Sequence, residues 1–165
     1  MLKEGKNMKK GIIAVLSAGI GIVAGIMGQG FLKNKIISEK TSKVDKFKNY
    51  YTMLNQWLLL KQEGKSLDKY FLDHNIGTIA IYGMGEMGNR LYDELKNTSI
   101  EIKYAIDNNA DNTYSELEVV KPGDNLRDVD AIIVTSIFAF EEIEKELSRK
   151  NNMNIISLED VVYEI

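Results

Sequence analysis

Apolar side chains recur along this chain in three rhythms. From 11 to 32 they run without a single charge, and Ser17 and Gln29 are the only polar side chains. A helix of that length rises about 33 Å, enough to cross a hydrocarbon core, so the pattern predicts a transmembrane helix over 11–32. From 44 to 63 the apolar positions come at alternating three- and four-residue steps, Val44, Phe47, Tyr51, Leu54 and Leu58, widened by Tyr50 and Trp57. That is the period of an amphipathic helix, whose apolar stripe is expected to pack on its own domain.

Beyond residue 76 short apolar runs alternate with amphipathic stretches. Ile79 to Tyr82, Ile100 to Ile106, Leu117 to Val120, Ala131 to Ile137 and Asn154 to Leu158 read as strands. A helix over Arg90 to Lys96 follows the first. Another follows the fourth with Phe140, Ile143 and Leu147 inward, its Glu141 and Glu142 early and Arg149 and Lys150 late, as a helix dipole prefers. Alternating strands and helices predict an α/β fold, a Rossmann-like parallel sheet with right-handed crossovers and strand order 3-2-1-4-5. The expected organisation is a basic tail (1–10), a transmembrane helix (11–32), a basic linker (33–43), amphipathic helices packed on the domain (44–75) and the Rossmann-like domain (76–165). Ser66 is expected to cap a short helix from Leu67 to His74, with His74 favouring its C-terminal dipole.

The first strand runs straight into Gly83, Met84, Gly85, Glu86, Met87 and Gly88, a G-x-G-x-x-G turn opening a helix. Gly83 permits the reversal, Gly85 lets backbone N–H groups approach a diphosphate, and Gly88 lets helix and strand sit close. The helix N-terminus offers its donors to an anion. Strand two ends in Asp107, near the spacing at which an acid grips a ribose hydroxyl, and neither Asn108 nor Asn109 is basic, which favours NAD over NADP. Ligands of such sheets bind at the carboxyl ends of strands one and four, where the glycine turn meets Thr135 and Ser136. Gly83, Met84, Gly85, Glu86, Met87, Gly88, Asp107, Asn108, Thr135 and Ser136 are therefore the candidate nucleotide site. The competing reading is a glycine turn that closes a βα unit with nothing bound.

Charge alters the picture for the partner. The net charge of −3 hides a basic half and an acidic half: residues 1–76 hold 13 Lys and Arg against 6 Asp and Glu, and residues 77–165 hold 8 against 18. The acidic domain argues against nucleic acid, and the basic half beside the apolar stretch argues for an anionic membrane surface. Absence of cysteine excludes disulfides and thiolate sites, and the single histidine, His74, leaves little for histidine-based catalysis or metal binding. Six lysines after the apolar stretch against four before it tilt the C-terminal side of a single-pass bacterial membrane protein towards the cytoplasm, and a nucleotide-binding domain is expected where nucleotides are.

Within the apolar stretch, Ser17, Gly21 and Gly25 recur at a spacing that would let two membrane helices approach in a homo-oligomer; the competing reading is generic membrane-helix composition. A cleaved signal beginning at Met8 is the weaker alternative, for no A-x-A pattern follows. A first Rossmann unit on Gly19, Gly21 and Ala24 with Glu39 is weaker still, because its helix would have no polar face. Gly64, Lys65 and Ser66 imitate the end of a P-loop, but Leu59 stands where a glycine is required.

The stretches I-A-I-Y-G-M-G-E-M-G, Y-A-I-D-N-N and D-A-I-I-V-T resemble the nucleotide-binding domains of bacterial surface-polysaccharide proteins. These are nucleoside-diphosphate-sugar epimerase/dehydratase-type proteins and the N-terminal domains of some sugar acyltransferases. The chain as a whole is similar to short membrane-anchored proteins of clostridial-type bacteria. The resemblance implies that Gly83, Gly85, Gly88 and Asp107 face a nucleotide or nucleotide-sugar. It departs in the Tyr-x-x-x-Lys pair of the short-chain enzymes: Tyr92 and Lys96 have the spacing but lie on the first helix.

The expectation is thus a membrane-tethered module that binds NAD or a UDP-sugar without chemistry of its own, accessory to cell-envelope polysaccharide biosynthesis. The alternatives are a protein-interaction adaptor with an empty site, and an NAD-dependent oxidoreductase or epimerase subunit completed by oligomerisation, with Thr135, Ser136, Tyr82 and Tyr114 as its candidate proton donors. An S-adenosylmethionine-binding methyltransferase is a weaker reading, since no chain remains for a substrate pocket.

Overall fold

The computed structural model describes residues 41, 43–113, 115–150 and 152–165. The basic tail, the apolar stretch 11–32 with its small-residue stripe and alternative readings, the linker up to residue 40, and Tyr114 lie outside the described residues. Among the described residues no helix is long and apolar enough to cross a membrane. A division falls after Lys48, and the body described below is 49–165.

Five parallel strands form one sheet in the order β3-β2-β1-β4-β5. They are β1 (Thr78–Tyr82), β2 (Glu101–Ile106), β3 (Val119–Val120), β4 (Ala131–Val134) and β5 (Asn154–Ser157). The order is the one the alternation of strands and helices predicts. β1 and β4 are apolar and buried along almost their whole length, as central parallel strands covered on both faces must be. Ile79 and Ile81 face one core with Leu91, Leu95, Ile133, Val161 and Val162. Ala80 and Tyr82 face the other with Tyr104, Ile132, Val134, Ile143 and Leu147.

The helices are α1 (43–62), α2 (Asp68–Asp73), α3 (Glu86–Leu95), α4 (Phe140–Ser148) and α5 (Leu158–Glu164). α5 follows β5 directly. Ser157 caps it by accepting the Glu159 N–H at 3.2 Å, so the last strand ends one residue earlier than its apolar run. β2 carries a register shift: Ile79 pairs with Ile102 but Ala80 with Tyr104, leaving Lys103 as the extra residue.

Two expectations are corrected. The first is the phase of the helical stripe: within 49–165 Tyr51, Leu54 and Leu58 are exposed, Tyr51 at 64%, while Trp57 and in part Tyr50, which widen the stripe, are packed. The packed face of the helix is instead Met53, Trp57 and Leu60, with Tyr50 half-buried beside them, turned by roughly a third of a turn. Nor does Ser66 cap α2, whose N-cap is Leu67 without a side-chain bond. Glu94 of α3 does that work from a distance. Its Oε1 accepts the Leu67 N–H and the Ser66 hydroxyl, both at 3.1 Å, while Oε2 accepts from Trp57 Nε1 at 3.3 Å and pairs with Lys61 Nζ at 2.9 Å. Glu94, with a side chain 6% exposed, therefore ties α1, α2 and α3 together.

His74 ends α2 as expected. Its ring stacks on Tyr70, and its Nε2 lies 3.1 Å from Glu164 Oε1 on α5.

Candidate functional site

β1 delivers its backbone to Gly83 in a left-handed conformation, φ 93°, which a residue with a Cβ adopts only under strain. The reversal is held from several sides. The Gly83 N–H donates to Ile106 O at 2.8 Å, the Thr135 hydroxyl donates to Gly83 O at 2.7 Å, and Asn89 Nδ2 donates to Gly85 O at 3.0 Å. Gly88 then lies so close to the turn that a Cβ there would sit 2.1 Å from Gly83 O. α3 consequently begins directly above the end of β1, with Gly85 as its N-cap. A Cβ at Gly85 would meet nothing within 4 Å. Its lack of a side chain is not required by the protein's own packing, and the space above it is open.

The first N–H groups of α3 have no partner within the helix and carry its partial positive charge. Glu86 lies exposed in that first turn. Met84 and Met87 do not present their side chains to a ligand: Met84 is buried in the α3-side core and Met87 packs partly against it. Thr135 is buried too, its hydroxyl spent on the turn.

Asp107, one residue past the end of β2, reaches across to the turn. Its Oδ2 accepts the Met84 N–H at 2.9 Å and its Oδ1 accepts the Asn109 N–H at 2.8 Å. The acid of strand two and the glycine turn of strand one are thus in direct contact. A cleft of about 370 Å³ opens beside them on the α4 side. Gly83, Asp107, Asn108 and Ser136 of the sequence-predicted set line it, together with Tyr82, Glu142 and Glu146.

The wall made by α4 was not part of the predicted set. Glu142 and Glu146 stand four apart, on one helical face beside the inward Ile143, and that spacing was the available signal. With Asp107 they make the cleft acidic, and among the described residues no Lys or Arg lines it. Tyr82 sits in this field. Burial chiefly, then the charges of Glu146, Asp107 and Glu142, push its phenol above the ordinary value, and a hydrogen bond with the Asn108 side chain opposes them.

Ser136 hydrogen-bonds Tyr50, whose phenol is likewise pushed up by burial, and Tyr50 packs edge-on against Phe138 at 5.0 Å. Tyr50, from α1, is a second contributor that the strand-turn-helix pattern could not reveal. Tyr92 and Lys96 stand apart from the cleft. The Tyr92 hydroxyl donates to Glu116 Oε2 at 2.8 Å, and that bond raises the Tyr92 pKa where an acid/base tyrosine would need it lowered.

The family described as C2185-like, N-terminal, matches residues 75–157, about half of the chain and all five strands. No curated protein and no solved structure matches the chain significantly.

Proposed function

The chain belongs to the C2185-like, N-terminal family, and on that footing we propose that its sheet domain is a nucleotide-binding module without chemistry of its own. The hydrogen bond that joins Asp107, which lines the cleft, to Met84 of the glycine turn carries this reading. A nucleoside whose ribose hydroxyls take the Asp107 carboxylate has its phosphates beside the Glu86 and Met87 N–H groups at the start of α3. NAD and a UDP-sugar both supply that chemistry.

Two hydroxyls that a reaction would call on already donate within the protein: Thr135 to Gly83 O and Tyr92 to Glu116. The stretch 11–32 tethers the module to the bacterial cell membrane as a single span with the domain in the cytoplasm. The resemblance to polysaccharide proteins makes cell-envelope polysaccharide biosynthesis the process it serves.

One observation favours a second reading. Asp107, Glu142 and Glu146 repel a diphosphate without a cation to offset them, which suits an adaptor whose site stays empty and whose surface binds protein.

Thermal unfolding of the full chain with NAD, NADH, UDP-sugars or S-adenosylmethionine separates the readings. A ligand at a hundred times its dissociation constant adds about 2.7 kcal/mol, several degrees in a domain of this size. A shift with NAD or a UDP-sugar that vanishes in Asp107→Ala supports the module. No shift with any of them leaves the adaptor.

A further inference from the structure

We propose that α4 selects the base of the nucleotide and takes one that carries an exocyclic amine, so that of the two ligands named above NAD, with its adenine, fits and a UDP-sugar does not. The inference rests on the nucleotide reading and narrows its ligand. In that reading Asp107 takes the ribose and the start of α3 the phosphates, which leaves the rest of the cleft to the base.

The α4 side of the cleft is made by Ala139 at the helix N-cap, then Glu142, Ile143 and Glu146. Steps of three and four residues put them on one helical face. Ala139 and Ile143 offer apolar surface to the flat of a ring, while the two glutamates offer oxygens to its edge. Every charged residue that lines the cleft is an acid. An ionised carboxylate accepts hydrogen bonds and donates none.

That chemistry sorts the bases. Adenine and cytosine present an amino group as a donor at the base edge. Hypoxanthine and uracil carry a carbonyl oxygen in the same place, and a carboxylate repels it. Glu146 shares its charge with Lys150 at 3.3 Å, whereas Glu142 enters no ion pair among the described residues. Glu142 is therefore the acceptor left for the amine. Repulsion between this wall and the phosphates acts on every nucleotide alike, so it weakens binding without changing the order of the bases.

Titration calorimetry of the full chain in detergent with the diphosphates of adenosine, inosine, cytidine and uridine tests this. Adenosine against inosine, and cytidine against uridine, each exchange the amine for an oxygen on an otherwise similar ring. We expect the amine-bearing member of each pair to bind at least about five-fold tighter. A glutamine side chain offers a donor as well as an acceptor, so Glu142→Gln should bring both ratios towards one. Glu144→Gln removes the same charge from α4 outside the cleft and should leave the ratios as they are. Both glutamates are exposed, so neither change disturbs the core. Uridine diphosphate bound as tightly as cytidine diphosphate overturns the selection and leaves the nucleotide reading standing. A preference that survives Glu142→Gln overturns the role of α4. No binding of any of the four, or of NAD, overturns both the inference and the reading beneath it.

Discussion

Asp107 Oδ2 accepts the backbone N–H of Met84 at 2.9 Å, so the acid at the end of β2 is already engaged with the glycine turn after β1. A ligand taking that carboxylate competes with a bond inside the protein. Hydrogen bonds to charged groups contribute about 1.5–3 kcal/mol, and Asp107 is half-buried, so the lower end applies. Asp107→Ala should lower the unfolding free energy by about 1–2 kcal/mol in a urea titration while the protein remains folded.

Two glycines of the turn should part company on substitution. Gly88→Ala forces a methyl group against a backbone oxygen 2.1 Å away, and neither the helix nor the strand can yield without moving the other. A loss of about 1–3 kcal/mol is expected. Gly85→Ala meets open space and should change stability by less than about 1 kcal/mol. If the space above Gly85 receives a nucleotide, the same Gly85→Ala change should weaken its binding. Urea midpoints for both variants, and thermal shifts with NAD for the second, give the comparison.

Glu94 should be a weak point of the helical layer. Glu94→Ala leaves Trp57 Nε1 and the Leu67 N–H without their acceptor and Lys61 without its partner. The expected loss is about 2–3 kcal/mol. Trp57 is the only tryptophan, so its emission reports the change directly and should shift to the red before the far-ultraviolet signal of the sheet is lost.

Asp130 makes the start of β1 sensitive to acid. Its Oδ2 accepts from the Gly77 and Thr78 N–H groups and the Thr78 hydroxyl, at 2.7–2.9 Å, and these bonds hold its pKa below the ordinary carboxylate value. A carboxyl with a depressed folded pKa contributes stability that is complete above the unfolded value and disappears as pH falls through the folded one. Asp130→Asn should therefore be less stable than the parent at neutral pH, with the difference closing below about pH 4. Urea midpoints measured from pH 7 to pH 3 check it.

The sheet order was readable from the sequence because the central strands β1 and β4 are nearly continuous apolar runs and amphipathic helices alternate with the strands. The glycine turn was readable because its backbone geometry demands particular residues at Gly83 and Gly88. The phase of α1 was not. Val44 to Leu58 and Tyr50 to Leu60 are two apolar stripes on one helix, and only the surface offered by α3 and the sheet decides which is buried. The cap of α2 was hidden for a similar reason: Ser66 has the right chemistry locally, but Glu94 satisfies the helix end from 27 residues away. Within the site, Gly83, Asp107, Asn108 and Ser136 converge on the cleft. Met84 and Thr135 are turned inward by core packing and a backbone acceptor, and the acidic wall comes from a helix whose glutamates also read as ordinary dipole partners.

That acidic wall bears on how quickly anything arrives. A recess lined by one sign of charge focuses its field into the solvent, raising the encounter rate of cations and lowering that of anions. Screening by physiological salt shortens the field to about 8 Å. A phosphate-bearing visitor is thus held off until it is nearly at the glycine turn, where the dipole of α3 first works in its favour. With Asp107, Glu142 and Glu146 lining it, the cleft should slow the encounter of polyphosphates relative to neutral or cationic molecules.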